Sequence, residues 1–308
     1  MRDRLLLGPI LIALLVGALW LDEFLTRLPM PLGHLLGLEH IPPGVVQFVV
    51  MALVCVLAAR EIAAILIANN VVASKRIMTF AALLGLVVSV AVPARVPGPL
   101  AVAFVGSACV LVLVVAQAFY SRHKSVEGVV AATGGALLCF VYLGLTFGFL
   151  LAIRRDYSAW ILLWVLLITK SCDIGAYFTG KSIGRHKLIP WLSPGKTWEG
   201  LAGGLVLSAL VAWGGAAVLQ HTTGMSGPGM LWCLVLGGVC GVVGQAGDLL
   251  ESMYKRDAGF KDSGKGLPGF GGILDVIDSP VLVAPVAYWL LHAFEAGGVL
   301  VESVNGSN

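Results

Sequence analysis

The chain predicts an all-α fold, a polytopic integral membrane bundle of about nine transmembrane helices. Three observations carry that reading: an apolar composition, apolar runs of membrane-crossing length, and basic residues gathered on one side. Of its 308 residues, 58% are hydrophobic and 12% charged, where soluble domains are about a quarter charged. The mean hydropathy is +0.93. Several runs reach or approach the ~20 residues a helix needs to cross the hydrocarbon core. The polar residues are too few and too clustered to clothe a soluble domain. Glycine contributes 39 residues, about twice the usual share of roughly 7%; in a membrane, small residues let helices pack closely.

The candidate spans are 5–21, 44–69, 77–93, 99–120, 128–152, 158–180, 200–219, 229–250 and 274–294. The first follows Arg2 and Arg4 and runs into Asp22 and Glu23. No small-residue cleavage site follows it, so it reads as a retained span, not a signal peptide. The third is 17 residues long, the lower limit for crossing. The N-terminus is expected in the cytoplasm and the C-terminus outside. That orientation puts Arg2, Arg4, Lys75, Arg76, Arg122, Lys124, Lys181, Arg185, Lys187, Lys196, Lys255, Arg256, Lys261 and Lys265 on the cytoplasmic side. Only Arg27, Arg95, Arg154 and Arg155 fall opposite, which obeys the positive-inside rule. Arg154 and Arg155 are its one local exception. The two sizeable polar loops, 181–199 and 251–273, both fall on the cytoplasmic side. Residues 1–157 are expected to supply packing, dimer or lipid contacts, and residues 158–298 the catalytic region. The six cysteines lie in apolar runs without a CxxC pair, and read as small hydrophobes.

An ionisable residue inside a span is costly and is a functional candidate by default. In the eighth span Gly237, Gly241, Gly244 and Asp248 follow one helical face. A carboxylate is unfavourable at a helix C-terminus, so a bare capping role for Asp248 is weak. At the start of the ninth span, glycines lead into Asp275 and Asp278, three apart on one face. Like charges so placed call for a cation, and a hard ion such as Mg²⁺ takes carboxylate oxygens together with substrate phosphates. In the sixth span Lys170, Asp173 and Tyr177 share a face; a self-neutralising Lys170–Asp173 pair and a functional role are both open. Arg60 and Glu61 are neighbours that cannot face each other on a helix, and a structural partner on another span is expected for them.

The loop 251–273 mixes Lys255, Arg256, Lys261 and Lys265 with glycines, whose N–H groups can approach phosphate oxygens closely. A basic loop that only touches anionic headgroups explains the cations, but less well the glycines ending at paired aspartates. The other loop carries Ser193-Pro194-Gly195-Lys196-Thr197-Trp198-Glu199-Gly200. Lys196 and Thr197 stand near a helix start, where the backbone favours an anion. The Gly-Lys-Thr is not a P-loop, because residue 190, where its first glycine belongs, is proline.

The stretch from Ser252 to Asp278 resembles the signature of the phosphatidate cytidylyltransferases, the CDP-diacylglycerol synthases. Ser252, Lys255, Arg256, Lys261, Asp262, Pro268, Gly271, Gly272, Asp275 and Asp278 fall in its register. Gly247-Asp248-Leu249, Asp173 with Ala176-Tyr177, and the block from Ser193 to Gly200 resemble the same family. The likeness covers most of residues 170–280. Phe270 and Val276 stand where the family has His and Arg, Tyr254 where an aliphatic residue or Phe is usual, and Gly195 where Lys is common.

The resemblance implies transfer of the cytidylyl group of CTP to phosphatidic acid at the inner membrane, with the active site facing the cytoplasm. It implies Mg²⁺ held by Asp248, Asp275 and Asp173, and a second cation beside the same aspartates. Asp278, Lys255 and Arg256 would be catalytic. Ser193, Lys196, Thr197, Lys261, Asp262 and Lys265 would bind nucleotide and phosphates. Membrane lipids and a second copy of the chain are the implied partners, and no nucleic acid. Two other readings stay open. A CTP-dependent polyprenol or phytol kinase would release CDP; an ion-coupled secondary transporter would use the aspartates as ion sites, although the inverted repeats of transporters are not found.

Overall fold

A computed structural model describes residues 2–30, 39–91, 98–122, 126–223, 229–260, 263–264, 269 and 271–296. Among these are nine long helices: α1 Arg2–Leu25, α2 Val45–Ala68, α3 Lys75–Ala91, α4 Gly98–Ser121, α5 Val129–Asp156, α6 Ala159–Ile183, α7 Trp198–Thr223, α8 Met230–Asp257 and α9 Leu274–Ala296. Eight are long and apolar enough to cross a membrane. The ninth, α3, has 17 residues and matches the span placed at the lower limit for crossing. The chain is a multi-pass membrane protein. Apolar side chains cover even the outward faces, as at Leu100, Val102, Val110 and Val114 of α4; a helix apolar all round belongs in lipid or in a core.

The chain divides into two compact units. The first holds residues 1–4, 48–152 and 253–277; the second holds 5–47, 153–252 and 278–308.

In the first unit α3 and α5 meet through glycines. A Cβ on Gly85 would lie 2.5 Å from the Phe140 carbonyl oxygen, and one on Gly144 2.5 Å from that of Ala82. Side chains there would force the helices apart. Within the same stretch α5 widens into a π-helix over Cys139–Leu145. Thr146 Oγ1 donates to the Tyr142 carbonyl as the α-helical pattern resumes, a local competition that accompanies such bulges.

The second unit is also joined by small residues. Added Cβ atoms at Gly175, Gly200, Gly203 and Gly204 would strike the facing helix of the α6–α7 pair. On α8, Gly237 abuts the Ala209 backbone and Gly241 abuts Ser208 and Cys172. The face expected to pack is therefore the face that packs.

The polar loop expected at 181–199 contains regular structure. It folds into an antiparallel hairpin, β1 Lys187–Ile189 with β2 Ser193–Thr197. Leu192 at its turn is buried, while Trp191 is exposed. A three-residue strand sits too close to its turn for periodicity to announce it. The all-α class stands, with this hairpin added.

Arg154, one of the two basic residues that broke the positive-inside pattern, lies fully buried. Its Nε is 2.6 Å from Asp22 Oδ2 and its Nη2 3.2 Å from Glu23 Oε2. Arg155 pairs with Asp156 at 3.0 Å. Both cations are thus paired with carboxylates.

Candidate active site

Three helices, α6, α8 and α9, carry a group of polar and charged residues in the second unit. Lys170 and Asp173 stand one turn apart on α6; Gln245, Asp248 and Glu251 recur at three-residue steps on α8; Asp278 and Ser279 lie on α9. The contact between α8 and α9 is fixed by Gly247. A Cβ there would sit 2.4 Å from the Asp278 carbonyl oxygen and 3.2 Å from Ser279 Cα. Only a glycine lets the backbone bearing Asp248 come this close to the backbone bearing Asp278.

That closeness yields a tight acid cluster. Single carboxylate oxygens of Asp248, Glu251 and Asp278 lie within 4.8 Å of one another. Glu251 is fully buried and Asp278 nearly so. At an effective dielectric of about 20, each ionised pair at such a distance repels by about 3–4 kcal/mol. Cations offset this. Lys196 Nζ is 2.9 Å from Asp248 Oδ2 and also donates to the Gln245 carbonyl at 3.3 Å. Lys170 Nζ bridges Asp173 Oδ2 and Asp278 Oδ1, 3.4 Å from each. Lys170 therefore makes the expected pair with Asp173 and also reaches a second carboxylate.

Asp173 is further held by Gln245, whose Nε2 donates to Oδ1 at 2.9 Å, and by Ser279 Oγ at 3.4 Å. The Ser279 N–H donates to Asp278 Oδ1 at 2.6 Å. An all-oxygen, carboxylate-rich donor set is what a hard divalent ion selects. Opposite ligands of Mg²⁺ lie about 4.2 Å apart, so the cluster is of the right scale. Asp248 belongs to it, Asp173 is linked to it through Lys170, and Glu251 is an addition that the sequence reading missed.

Beside these groups a cleft of about 380 Å³ is lined by Asp173, Tyr177, Lys181, Ser193, Lys196, Thr197, Gln245 and Asp248, among others. Ser193, Lys196 and Thr197 thus reach one cavity, with Lys196 bridging it to Asp248. Thr197 has a second duty. Its Oγ1 accepts the Gly200 N–H at 3.0 Å and so caps α7. Glu199 accepts the N–H groups of Arg185 and His186, tying the start of α7 to the foot of the hairpin.

The first unit holds a different arrangement. Lys255 Nζ is 2.6 Å from Asp275 Oδ1. Asp275 Oδ2 accepts the Ser263 N–H at 2.9 Å, the Ser263 hydroxyl at 2.8 Å and the Gly272 N–H at 2.7 Å. Asp275 is therefore committed to Lys255 and to the loop that precedes it. Arg256 is exposed. Lys261, Asp262, Lys265 and Phe270 lie outside the described residues.

Gln245 and Glu251 were legible in principle. Each is three residues from Asp248, on a face already marked by glycines. Attention to charge inside spans missed the neutral amide, and the helix end concealed the glutamate.

Gly247→Ala is expected to overpack the α8–α9 contact, at a cost of about 1–3 kcal/mol, and to lower the melting temperature in detergent. Gly244→Ala is the matched control. Its added Cβ would find its nearest neighbours at 3.4–3.6 Å, ordinary contact, and should melt as the wild type does.

Residues 32–294 match the sequence model described as the cytidylyltransferase family. A phosphatidate cytidylyltransferase of Bacillus subtilis (strain 168) is 40% identical over 163 residues, 52% of this chain and 59% of that protein. One of Chlamydia muridarum (strain MoPn / Nigg) is 36% identical over 191 residues, 59% of this chain and 62% of its own. The uncharacterized protein YnbB of Escherichia coli (strain K12) is 42% identical over 138 residues, 44% of this chain and 43% of that one. The chain spans roughly half the length of the curated relatives it matches.

Proposed function

Since the chain belongs to the cytidylyltransferase family, matched over residues 32–294, we propose that it transfers the cytidylyl group of CTP to phosphatidic acid. The products are CDP-diacylglycerol and pyrophosphate. The observation that carries this reading is the cleft in which Lys196 and Asp248 stand together, beside the carboxylates of Glu251 and Asp278. Cation and carboxylates in one cavity suit a nucleotide triphosphate and its counter-ion. The relatives named phosphatidate cytidylyltransferase favour the lipid phosphate as acceptor.

A phosphatidate oxygen attacks the α-phosphorus of CTP, a new P–O bond forms, and the bond to the β-phosphate breaks to release pyrophosphate. No strong general base is needed, because a phosphate monoester has a second pKa of about 6 and is ionised at neutral pH. Asp248, Glu251 and Asp278 would hold Mg²⁺, with Asp173 supporting them through Lys170 and Gln245. Bound there, Mg²⁺ would neutralise the phosphate charge and favour the leaving pyrophosphate. A second cation beside these carboxylates belongs to the same reading. Lys196 would carry phosphate charge in the transition state, and Ser193 would bind the nucleotide within the cleft. The sequence signature assigns Lys255, Arg256 and Lys261 to phosphate charge, and Asp262 and Lys265 would take part in binding the nucleotide. Asp275 holds Lys255 in place. The enzyme would act from the cytoplasmic face of the inner membrane as a homodimer.

Purified protein in detergent, given phosphatidic acid, labelled CTP and Mg²⁺, should yield CDP-diacylglycerol and pyrophosphate, and chelation should stop both. Release of CDP with a phosphorylated lipid alcohol would establish a kinase instead. Intact CTP across several lipid acceptors would discard the reading.

A further inference from the structure

One helix of the second unit, α6, buries one face and leaves the other bare. Ile161, Leu162, Val165, Ile168, Cys172 and Gly175 are buried. On the other face Leu167, Ile174, Tyr177 and Phe178 are each more than half exposed, and Lys181 is exposed too. Ile174, Tyr177, Phe178 and Lys181 stand at i, i+3, i+4 and i+7, a single stripe of the helix. The Tyr177 and Phe178 rings meet edge to face, with centroids 5.4 Å apart. The stripe is apolar along its length and ends in a cation.

An apolar face is ordinary on a helix that spans a bilayer. A basic residue in a last turn is ordinary too, because it meets the negative end of the helix dipole. Two observations set this face apart. Tyr177 and Lys181 also line the cleft that holds Lys196 and Asp248, so the stripe and the cleft share a wall. The Lys181 ammonium lies 5.7 Å from the centre of the Tyr177 ring, within cation–π reach. Side chains lean toward the N-terminus of their helix, and here that lean directs the ammonium back along the cleft wall. Asp173, on the same wall, is eight residues earlier on α6, about 12 Å along the axis.

A ligand that suits this stripe has hydrocarbon at one end and an anion at the other, and it comes from the bilayer. We propose that the face of α6 bearing Ile174, Tyr177, Phe178 and Lys181 is the side entrance by which phosphatidic acid reaches the cleft. The apolar residues take its acyl chains and Lys181 takes its phosphate. The identity of the lipid rests on the cytidylyltransferase reading; the junction of stripe and cleft does not. Lys196 is already engaged with Asp248. Two polyanions must meet in this reaction, and cations at two places in the cleft give each its own.

The test uses the full chain in mixed micelles. Lys181→Gln should raise KM for phosphatidate about 10-fold, equivalent to ~1.4 kcal/mol and close to the low end for a hydrogen bond to a charged group. KM for CTP should stay within about twofold, and Lys181→Arg should recover most of the loss. Lys187→Gln is the matched control. It removes an equal charge from an exposed position outside the cleft lining and should leave both KM values as they are. A second readout needs no turnover. Phe178→benzoylphenylalanine, irradiated with radiolabelled phosphatidate in excess phosphatidylcholine, should take up label, and adding Lys181→Gln should cut the uptake about 10-fold. Labelling indifferent to Lys181, or crosslinking of one copy of the chain to another, would overturn the entrance. So would a KM for CTP that rises as much as that for phosphatidate, or an equal effect of Lys187→Gln. Labelling that depends on Lys181 in a chain that makes no CDP-diacylglycerol would uphold the entrance and reject the proposed reaction. An active chain in which Lys181→Gln leaves KM for phosphatidate unchanged would do the reverse.

Discussion

Asp248→Asn is expected to lower kcat for CDP-diacylglycerol formation by about 10²–10³-fold at saturating CTP and phosphatidate. Asp248 has two relations that an amide cannot keep. Its Oδ2 is 2.9 Å from Lys196 Nζ, and its carboxylate shares a 4.8 Å sphere with those of Glu251 and Asp278. The substitution leaves Lys196 beside a neutral group and removes a charged ligand from the proposed Mg²⁺ position. Lewis-acid stabilisation of phosphoryl oxygens amounts to several kcal/mol, and each ~1.4 kcal/mol is tenfold in rate. Losing about 3–4 kcal/mol gives the stated range. The Mg²⁺ dependence should shift with the rate: Asp248→Asn should need more Mg²⁺ for half-maximal activity, and Glu251→Gln should do so as well. A wild-type kcat and Mg²⁺ requirement in both variants would remove the cluster from the reaction.

The Glu251 arm of that experiment addresses the point where sequence and structure part. Span positions were legible because membrane thickness constrains length: the run expected at 158–180 is the helix Ala159–Ile183, and 274–294 is Leu274–Ala296. The glycine face leading to Asp248 was legible because a stripe of small residues ending at a carboxylate, all at helical spacing, suits a face packed against other helices and not one turned to lipid. Partnerships across the fold were not. Asp275 and Asp278 look equivalent as a pair three apart, yet one is bound to Lys255 and a loop, and the other lies with Asp248 and Glu251. Which carboxylate joins which cluster depends on where Gly247 lets two helices touch, a tertiary fact with no local signal. Glu61 illustrates the same limit. Its partners are backbone amides more than two hundred residues away, and no side chain in the sequence could announce them. The structural partner expected for it exists, but it is a loop and a helix start; Arg60 beside it is exposed.

Arg154→Met should destabilise the protein by about 3–5 kcal/mol, the cost of leaving one member of a buried ion pair without its counter-charge. Arg154 is fully buried, as is its partner Asp22. Its Nη1 also donates to the Tyr157 carbonyl at 3.1 Å. The acids it holds have further work. Asp22 accepts the N–H groups of Gly44 at 3.0 Å and Val46 at 2.9 Å, where α2 begins. Glu23 accepts the Ala159 N–H at 3.0 Å, where α6 begins. Losing the cation therefore strains two helix starts together with the pair itself. Asp22→Asn should cost less, because the amide oxygen can still serve one of those N–H groups. The double variant should lie well short of the sum of the two single effects, since the second substitution removes a charge that the first has already stranded. Thermal unfolding in detergent reads all three. Strict additivity would mean that Arg154 and Asp22 are only neighbours.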